Sequence, residues 1–224
     1  SKEASLGIIL KYRPKSEYTK ATSQSIGLKK DTIPTKGNVG FIGAGNYAGR
    51  VLIPTFKSLG ASLHTIVSSG GVSALHYGKK FNFERVTTDV EEVYNSSSID
   101  TVVVATRHND HAKQVLASLR AGKHVFCEKP LCLNHSELSE IEEECFKRPD
   151  QALMMGFNRR FAPHIVQMKE LLSTTSDPMA IVMTINAGEI PQSHWTQQPD
   201  VGGGRIIGEA CHFIDLARHL VGFG

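Results

Sequence analysis

The chain has 224 residues, of which 40% are hydrophobic and 21% charged, with 20 Gly and 9 Pro. That balance excludes disordered, collagenous and low-complexity classes. Its 25 Lys and Arg against 22 Asp and Glu leave +3, with both signs interspersed, which argues against a nucleic-acid surface.

No run approaches the ~20 apolar residues that span a bilayer. The opening SKEASLGIIL lacks the cationic stretch and cleavage site of a secretory signal. The chain begins on Ser1, not Met, as an excised segment would. Four cysteines (Cys127, Cys132, Cys145 and Cys211) occur with no CxxC pair. Reduced thiols, no metal site and a cytoplasmic location are the expectation.

In chain order, residues 1–37 are rich in Lys, Ser and Thr and read as a tail or linker, with only Leu6–Leu10 apolar enough for a strand. From Asn38 the pattern alternates. Strands are expected at Asn38–Ile42, Ser62–Ser68, Glu84–Thr87, Ile99–Ala105, His124–Cys127 and Ala152–Phe157. Helices are expected at Tyr47–Leu59, Val72–Phe81, Val90–Asn95, His108–Ala121 and Ser136–Lys147. Asp89 would cap the third helix, and Gly122 would close the fourth. The β-branched run IDTVVVA is that of a strand covered on both faces. The fold class is therefore α/β, a doubly wound parallel-sheet Rossmann domain over residues 38–160.

The pattern thins after residue 161. A helix at Pro163–Leu172, an alternating strand at Met179–Ala187, a polar loop at Glu189–Gly203 and a helix at Arg205–Val221 read as the truncated start of an α+β substrate domain.

The first strand runs into Gly43-Ala44-Gly45-Asn46-Tyr47-Ala48 and a helix. Gly43 permits the tight turn, Gly45 lets backbone approach a pyrophosphate, and Ala48 takes the third small position. The helix N-terminus, opened by Asn46 and Tyr47, offers N–H groups and a positive dipole to phosphates. At the end of the second strand stand Ser68 and Ser69 where a ribose-binding acid is expected. With no carboxylate to repel a 2′-phosphate, NAD(P) is the expected cofactor with a slight lean to NADP.

Three separated motifs extend this picture: the glycine fingerprint, Ala105-Thr106-Arg107-His108-Asn109-Asp110-His111, and Gly122-Lys123-His124-Val125-Phe126-Cys127-Glu128-Lys129-Pro130. Together with Gly202-Gly203-Gly204 through His212 and Asp215, they resemble the glucose–fructose oxidoreductase / inositol dehydrogenase / rhizopine catabolism (Gfo/Idh/MocA) family. The resemblance implies hydride transfer between NAD(P) and a hydroxyl of a sugar-like or polyol substrate, in a homo-oligomer joined through the second domain. The segment SLGIILKY faintly resembles the closing strand of an alcohol-dehydrogenase-like domain, to which some members are fused.

Within that resemblance Lys129 is the candidate that takes the hydroxyl proton, with Glu128 orienting it or touching the cofactor ribose. The plain alternative is a surface Glu-Lys pair before a turn proline, and a cis Lys129–Pro130 bond is admissible there. His212 and Asp215, three apart on a helix, suit proton transfer with a carboxylate orienting the ring; helix packing with a solvated Asp is the alternative. The family usually carries Asp four residues before this His, where this chain has Gly208. Glu209 next to it offers a carboxylate from a neighbouring position. Asn109 and His111 match family positions near the nicotinamide, and Thr106 in the same loop is a further cofactor candidate, although Asn109, Asp110 or both could equally cap the next helix. Trp195 could wall the substrate pocket or anchor packing, and Arg159-Arg160 could face an acidic substrate or solvent. A non-catalytic dinucleotide-binding regulatory protein on the same fold is the alternative function, and Gly208 is the feature that favours it.

Overall fold

The computed structural model describes residues 25–28, 37–174 and 179–222. The expected strand at Leu6–Leu10 lies outside them. Seven strands form one sheet: β1 (Ile26–Gly27), β2 (Asn38–Ile42), β3 (Ser62–Val67), β4 (Arg85–Thr87), β5 (Thr101–Val104), β6 (His124–Cys127) and β7 (Leu153–Met155). Their order is β1-β4-β3-β2-β5-β6-β7. β2 to β7 run parallel, and β1 alone is antiparallel, pairing with β4 at the edge. The two-residue β1 falls inside the stretch read as tail or linker, and two residues are too few for a hydrophobic period to announce.

Helices cover both faces: α1 (Ile53–Ser58), α2 (Val72–Phe81), α3 (Glu91–Tyr94), α4 (His108–Arg120) and α5 (His135–Lys147). The pleat divides the strand residues between two cores. Ile42, Val102, Val104, Val125 and Cys127 pack with Val115, Leu119 and Ile141 on the α4–α5 side. Phe41, Ile66 and Val103 pack with Ile53, Ala74 and Phe83 on the α1–α2 side. There, Phe41 meets Phe56 and Phe83 edge-on at 5.6 and 5.7 Å. Burial on both faces is why β5 reads as an unbroken apolar run.

Local signals account for several boundaries. Asp89 Oδ1 accepts from the Glu91 amide at 2.9 Å, and Gly122 follows α4 at φ +75°. At the start of α4, by contrast, no side chain caps the helix, and Arg107 stands extended at the N-cap. All four cysteines are free, and no helix among the described residues is long and apolar enough to cross a membrane.

Beyond β7 come a 3-10 turn (Asn158–Phe161), α6 (Pro163–Leu172), α7 (Pro199–Gly202) and α8 (Cys211–Val221). Two expectations need correction here. Met179–Ala187 has strand-like alternation, but the structure shows no strand in it; alternation supplies a face and not a partner, and a strand needs a neighbour to satisfy its backbone. The helix expected from Arg205 onward opens with a wide π-type turn at Ile206–Ala210 before α8 begins. The polar loop before it contains the short α7 and another 3-10 turn, Trp195–Gln197.

Candidate active site

Strand order reverses at β2, with β3 on one side and β5 on the other, and open α/β sheets place ligands outside the carboxyl ends of the strands at such a point. A cleft of about 1400 Å³ opens there. At one end lies the glycine turn, where Gly43 has φ +106° and a Cβ would fall against the Ala105 carbonyl. Only glycine meets both conditions. Gly45 faces open space, with nothing within 4 Å of an added Cβ. A helical run starts at Asn46 and presents its first amides to this opening. Ala48, in the third small position, is buried, and Gly49 after it packs against the Tyr77 ring of α2.

These features fit the pyrophosphate of a dinucleotide: a backbone approach with no side chain in the way, and unpaired helix amides behind it. Further along the same rim, Ser68, Ser69, Ser73 and Thr88 line the cleft. The Ser68 hydroxyl already accepts from the Ala74 amide at 3.2 Å, whereas Ser69 is exposed.

At the other end the side chains come from distant parts of the chain. Lys129 follows β6, and its Nζ donates to the Gly208 carbonyl at 2.6 Å. His212, on the first turn of α8, also lines the cleft. Burial first, then the charges of Lys129 and Arg159, push its imidazole down to about 4. It is neutral at pH 7, and its buried Nδ1 has no hydrogen-bond partner. Glu128 packs against Gly156. Burial raises its carboxyl to about 7, against the lowering effect of the Lys129 amide and ammonium. Tyr47 accepts from Asn158 Nδ2 at 3.0 Å, and burial, then Glu128, raises its phenol.

His111 is held between two carbonyls, Nδ1 to Pro130 at 2.6 Å and Nε2 to Thr106 at 3.3 Å. It thereby ties the β5 loop to the β6 loop, across the cis Lys129–Pro130 peptide. Burial lowers its pKa.

The structure thus brings Gly43, Gly45, Asn46, Tyr47, Ser68, Ser69, Thr106, His111, Glu128, Lys129 and His212 to one cleft. Three other candidates lie elsewhere. Asn109 is exposed on α4 and does not line the cleft. Asp215 is buried and accepts two bonds from Arg160, the longer at 2.7 Å from Nε. Glu209 pairs with Arg205 at 2.9 Å and faces a separate apolar groove. Neither carboxylate is bonded to His212.

Two residues that sequence reasoning left out of the site belong beside it. His108 is buried, lines the cleft, and has Nδ1 2.8 Å from the Gly202 carbonyl. A carbonyl only accepts, so Nδ1 carries the hydrogen, and Nε2 is the acceptor in the neutral ring. Burial, opposed by the Gly202 bond, takes His108 down to about 4. Trp195 meets the His108 ring edge-on at 4.9 Å. A Cβ on Gly208 would sit 2.7 Å from the Gly202 carbonyl and 3.2 Å from His108 Cε1. The glycine where the resemblance expects Asp therefore has its side-chain space filled by the α7 turn and His108. No local pattern in the sequence signals a contact between residues 94 positions apart.

Comparison with known proteins agrees with this geometry. Residues 37–157, more than half of the chain, match GFO_IDH_MocA, the oxidoreductase family with an NAD-binding Rossmann fold. Myo-inositol 2-dehydrogenase of Thermotoga maritima is 33% identical over 146 residues, 64% of this chain and 42% of that protein. A solved levoglucosan dehydrogenase, in complex with NADH and levoglucosan, superposes with a TM-score of 0.68 at 25% identity, covering 82% of this chain and 53% of that one. A variant of the 3-ketoreductase KijD10 from Actinomadura kijaniata, in complex with TDP-benzene and NADP, gives 0.69 at 25%, covering 83% and 57%. The chain spans about half the length of the curated relatives it matches. With its glycine turn, sheet order and cleft all in place, the chain belongs to the Gfo/Idh/MocA oxidoreductase family.

Proposed function

We propose that this chain is the cofactor-binding part of an NAD(P)-dependent oxidoreductase that acts on a hydroxyl of a sugar-like or polyol substrate. Residues 38–160 make the dinucleotide domain, and 161–224 begin the substrate domain. One observation carries the reading: a single cleft joins the glycine turn to the Lys129–His212 pair at the carboxyl ends of the parallel strands. Gly43, Gly45 and the helix amides from Asn46 onward would hold the pyrophosphate, and Thr106, Glu128 and Lys129 the nicotinamide end. When bound, the nicotinamide supplies the hydride acceptor or donor.

The chain's own residues handle the proton. Lys129 is fixed by one N–H bond to the Gly208 carbonyl, and its other N–H groups are left to orient the substrate oxygen. His212, neutral with Nδ1 unpartnered, is the proton acceptor beside it. As the C–H hydride leaves, the O–H proton passes to His212. Asp215, engaged by Arg160, anchors α8 so that His212 reaches the cleft.

For the cofactor, NADPH stands ahead of NADH because the rim at Ser68, Ser69, Ser73 and Thr88 offers hydroxyls and no carboxylate. Proteins of similar structure are solved with NADH and with NADP. Free cysteines accord with a cytoplasmic location. The test is calorimetric titration of the chain with NADH and NADPH, where micromolar binding of either is expected. No binding of either would overturn the cofactor assignment. The second reading is a non-catalytic dinucleotide-binding regulator, favoured by the absence of a carboxylate at position 208. Hydride exchange with any polyol by a longer protein containing this chain, lost in Lys129→Ala, would exclude it.

A further inference from the structure

The substrate end of the cleft is more cationic than proton transfer requires. Arg107 and Arg159 line it together with Lys129. The Arg159 guanidinium lies 4.5 Å from the Phe213 ring centroid, and that of Arg107 5.7 Å from the Trp195 centroid. A guanidinium held over a ring keeps its N–H edge free, and that edge matches a carboxylate or phosphate two oxygens at a time. Among the described residues neither arginine is paired with an acid, whereas Arg160 next to them is engaged by Asp215.

Two acids, Asp110 and Glu128, line the cleft against the three cations Arg107, Arg159 and Lys129. Glu209 bonds Arg205 beside the other groove. Position 208 has no space for a side chain. Glu128 is held close to half charge at neutral pH by its burial, and Asp110 enters the cleft from α4, so positive charge is left in excess. Lys129, Arg159 and His212 line the cleft together; burial and then both cations lower the His212 imidazole, with Asp215 opposing them.

Building on the hydride-transfer reading above, we infer that the substrate is an anionic sugar or polyol, whose carboxylate or phosphate is held by Arg159 with Arg107 at the rim, while the reacting hydroxyl faces Lys129 and His212. A neutral polyol leaves both guanidinium edges to water; an anion replaces that water with charge-assisted hydrogen bonds in a partly closed cleft.

Trp195, the sole tryptophan of the chain, touches both Arg107 and His108 and gives the readout. D-glucuronate, D-glucose 6-phosphate and D-glucose are titrated into the chain with saturating NADP+ or NAD+, following Trp195 emission. Binding of NADPH and of NADH is followed separately by energy transfer from Trp195 to the reduced nicotinamide. The expected result is that at least one anion binds tenfold or more tightly than glucose. The preference should weaken between 50 and 500 mM salt and vanish in Arg159→Ala, with a thermal melt verifying that the variant folds. Arg107→Ala, expected to lose a smaller part, serves if Arg159→Ala does not fold. The two anions tell carboxylate from phosphate recognition. Glucose binding as tightly as both anions, no sugar binding at all, or a preference that survives in Arg159→Ala overturns the proposal. Absence of energy transfer to both NADPH and NADH in the unaltered chain would overturn the cofactor reading beneath it; normal transfer to either with no anion preference overturns this inference alone.

Discussion

The two ends of the cleft are built by different means. The glycine-turn end is made of backbone from one contiguous stretch, Gly43 to Ala48, and rests on the middle of the sheet. The substrate end is made of side chains held over long separations: Lys129 to Gly208 across 79 residues and His108 to Gly202 across 94, with the Arg160–Asp215 pair outside the cleft spanning 55. A backbone site tolerates no added atoms but needs no particular partner. A side-chain site tolerates substitution at its edges but fails when one partner of a pair is lost.

The largest expected effect tests the backbone end. Gly43→Ala places a Cβ against the Ala105 carbonyl at φ +106°. Strain and overpacking together should cost about 3 kcal/mol, read as a lower unfolding midpoint with NADH binding lost. Gly45→Ala, with open space around it, should leave the melt unchanged and still weaken NADH binding. If both variants melt alike, the distinction between packing glycine and phosphate-facing glycine fails. Next, at the substrate end, Lys129→Ala in a longer protein containing this chain should lower kcat by 10²–10⁴ while cofactor binding persists; loss of cofactor binding instead would make Lys129 a cofactor ligand only.

Arg160→Ala leaves the buried Asp215 carboxylate without its partner. A cost of about 2–3 kcal/mol is expected, below the usual figure for a fully buried pair because Arg160 is partly exposed. The denaturation midpoint reads it directly. Acid should separate the same end by titration. His108 has its folded pKa near 4, below the 6.5 of the unfolded chain. The unfolded state therefore binds more protons between these values, and stability is lost as pH falls from 6.5 towards 4. His108→Asn keeps a donor for the Gly202 carbonyl but cannot titrate, so its midpoint should fall less over that window. Glu128 has the opposite sign. Its folded pKa near 7 lies above 4.5, so stability present below 4.5 is lost as pH rises through 7. Glu128→Gln should flatten that arm. The smallest effect is at Ser69, exposed on the rim. Ser69→Ala should weaken NADPH about fivefold, the worth of one hydrogen bond, and leave NADH unchanged.

The same contrast explains what the sequence makes legible. β2, β5 and β6 are visible as apolar runs because both faces are buried, and the glycine turn is visible because its requirements are local. The helical spacing of Glu209, His212 and Asp215 misleads because the wide turn at Ile206–Ala210 shifts the phase of the helix, and because the Arg160 that claims Asp215 comes from another element. Met179–Ala187 alternates like a strand, but alternation does not say what it would pair with. His108 carries no local signal, because the carbonyl it binds is set by the fold of α7, not by any nearby residue.

The two-residue β1 has a consequence out of proportion to its length. It lies antiparallel along β4, and the Leu28 amide adds a bond to the Glu84 carbonyl at 2.7 Å. An open strand edge is a template on which another molecule can add its own strand. Ile26, Gly27 and Leu28 act as a selvedge that keeps the sheet from unravelling into its neighbours. A protein trimmed to begin at Gly37 should keep its cleft yet show concentration-dependent aggregation that the longer chain does not.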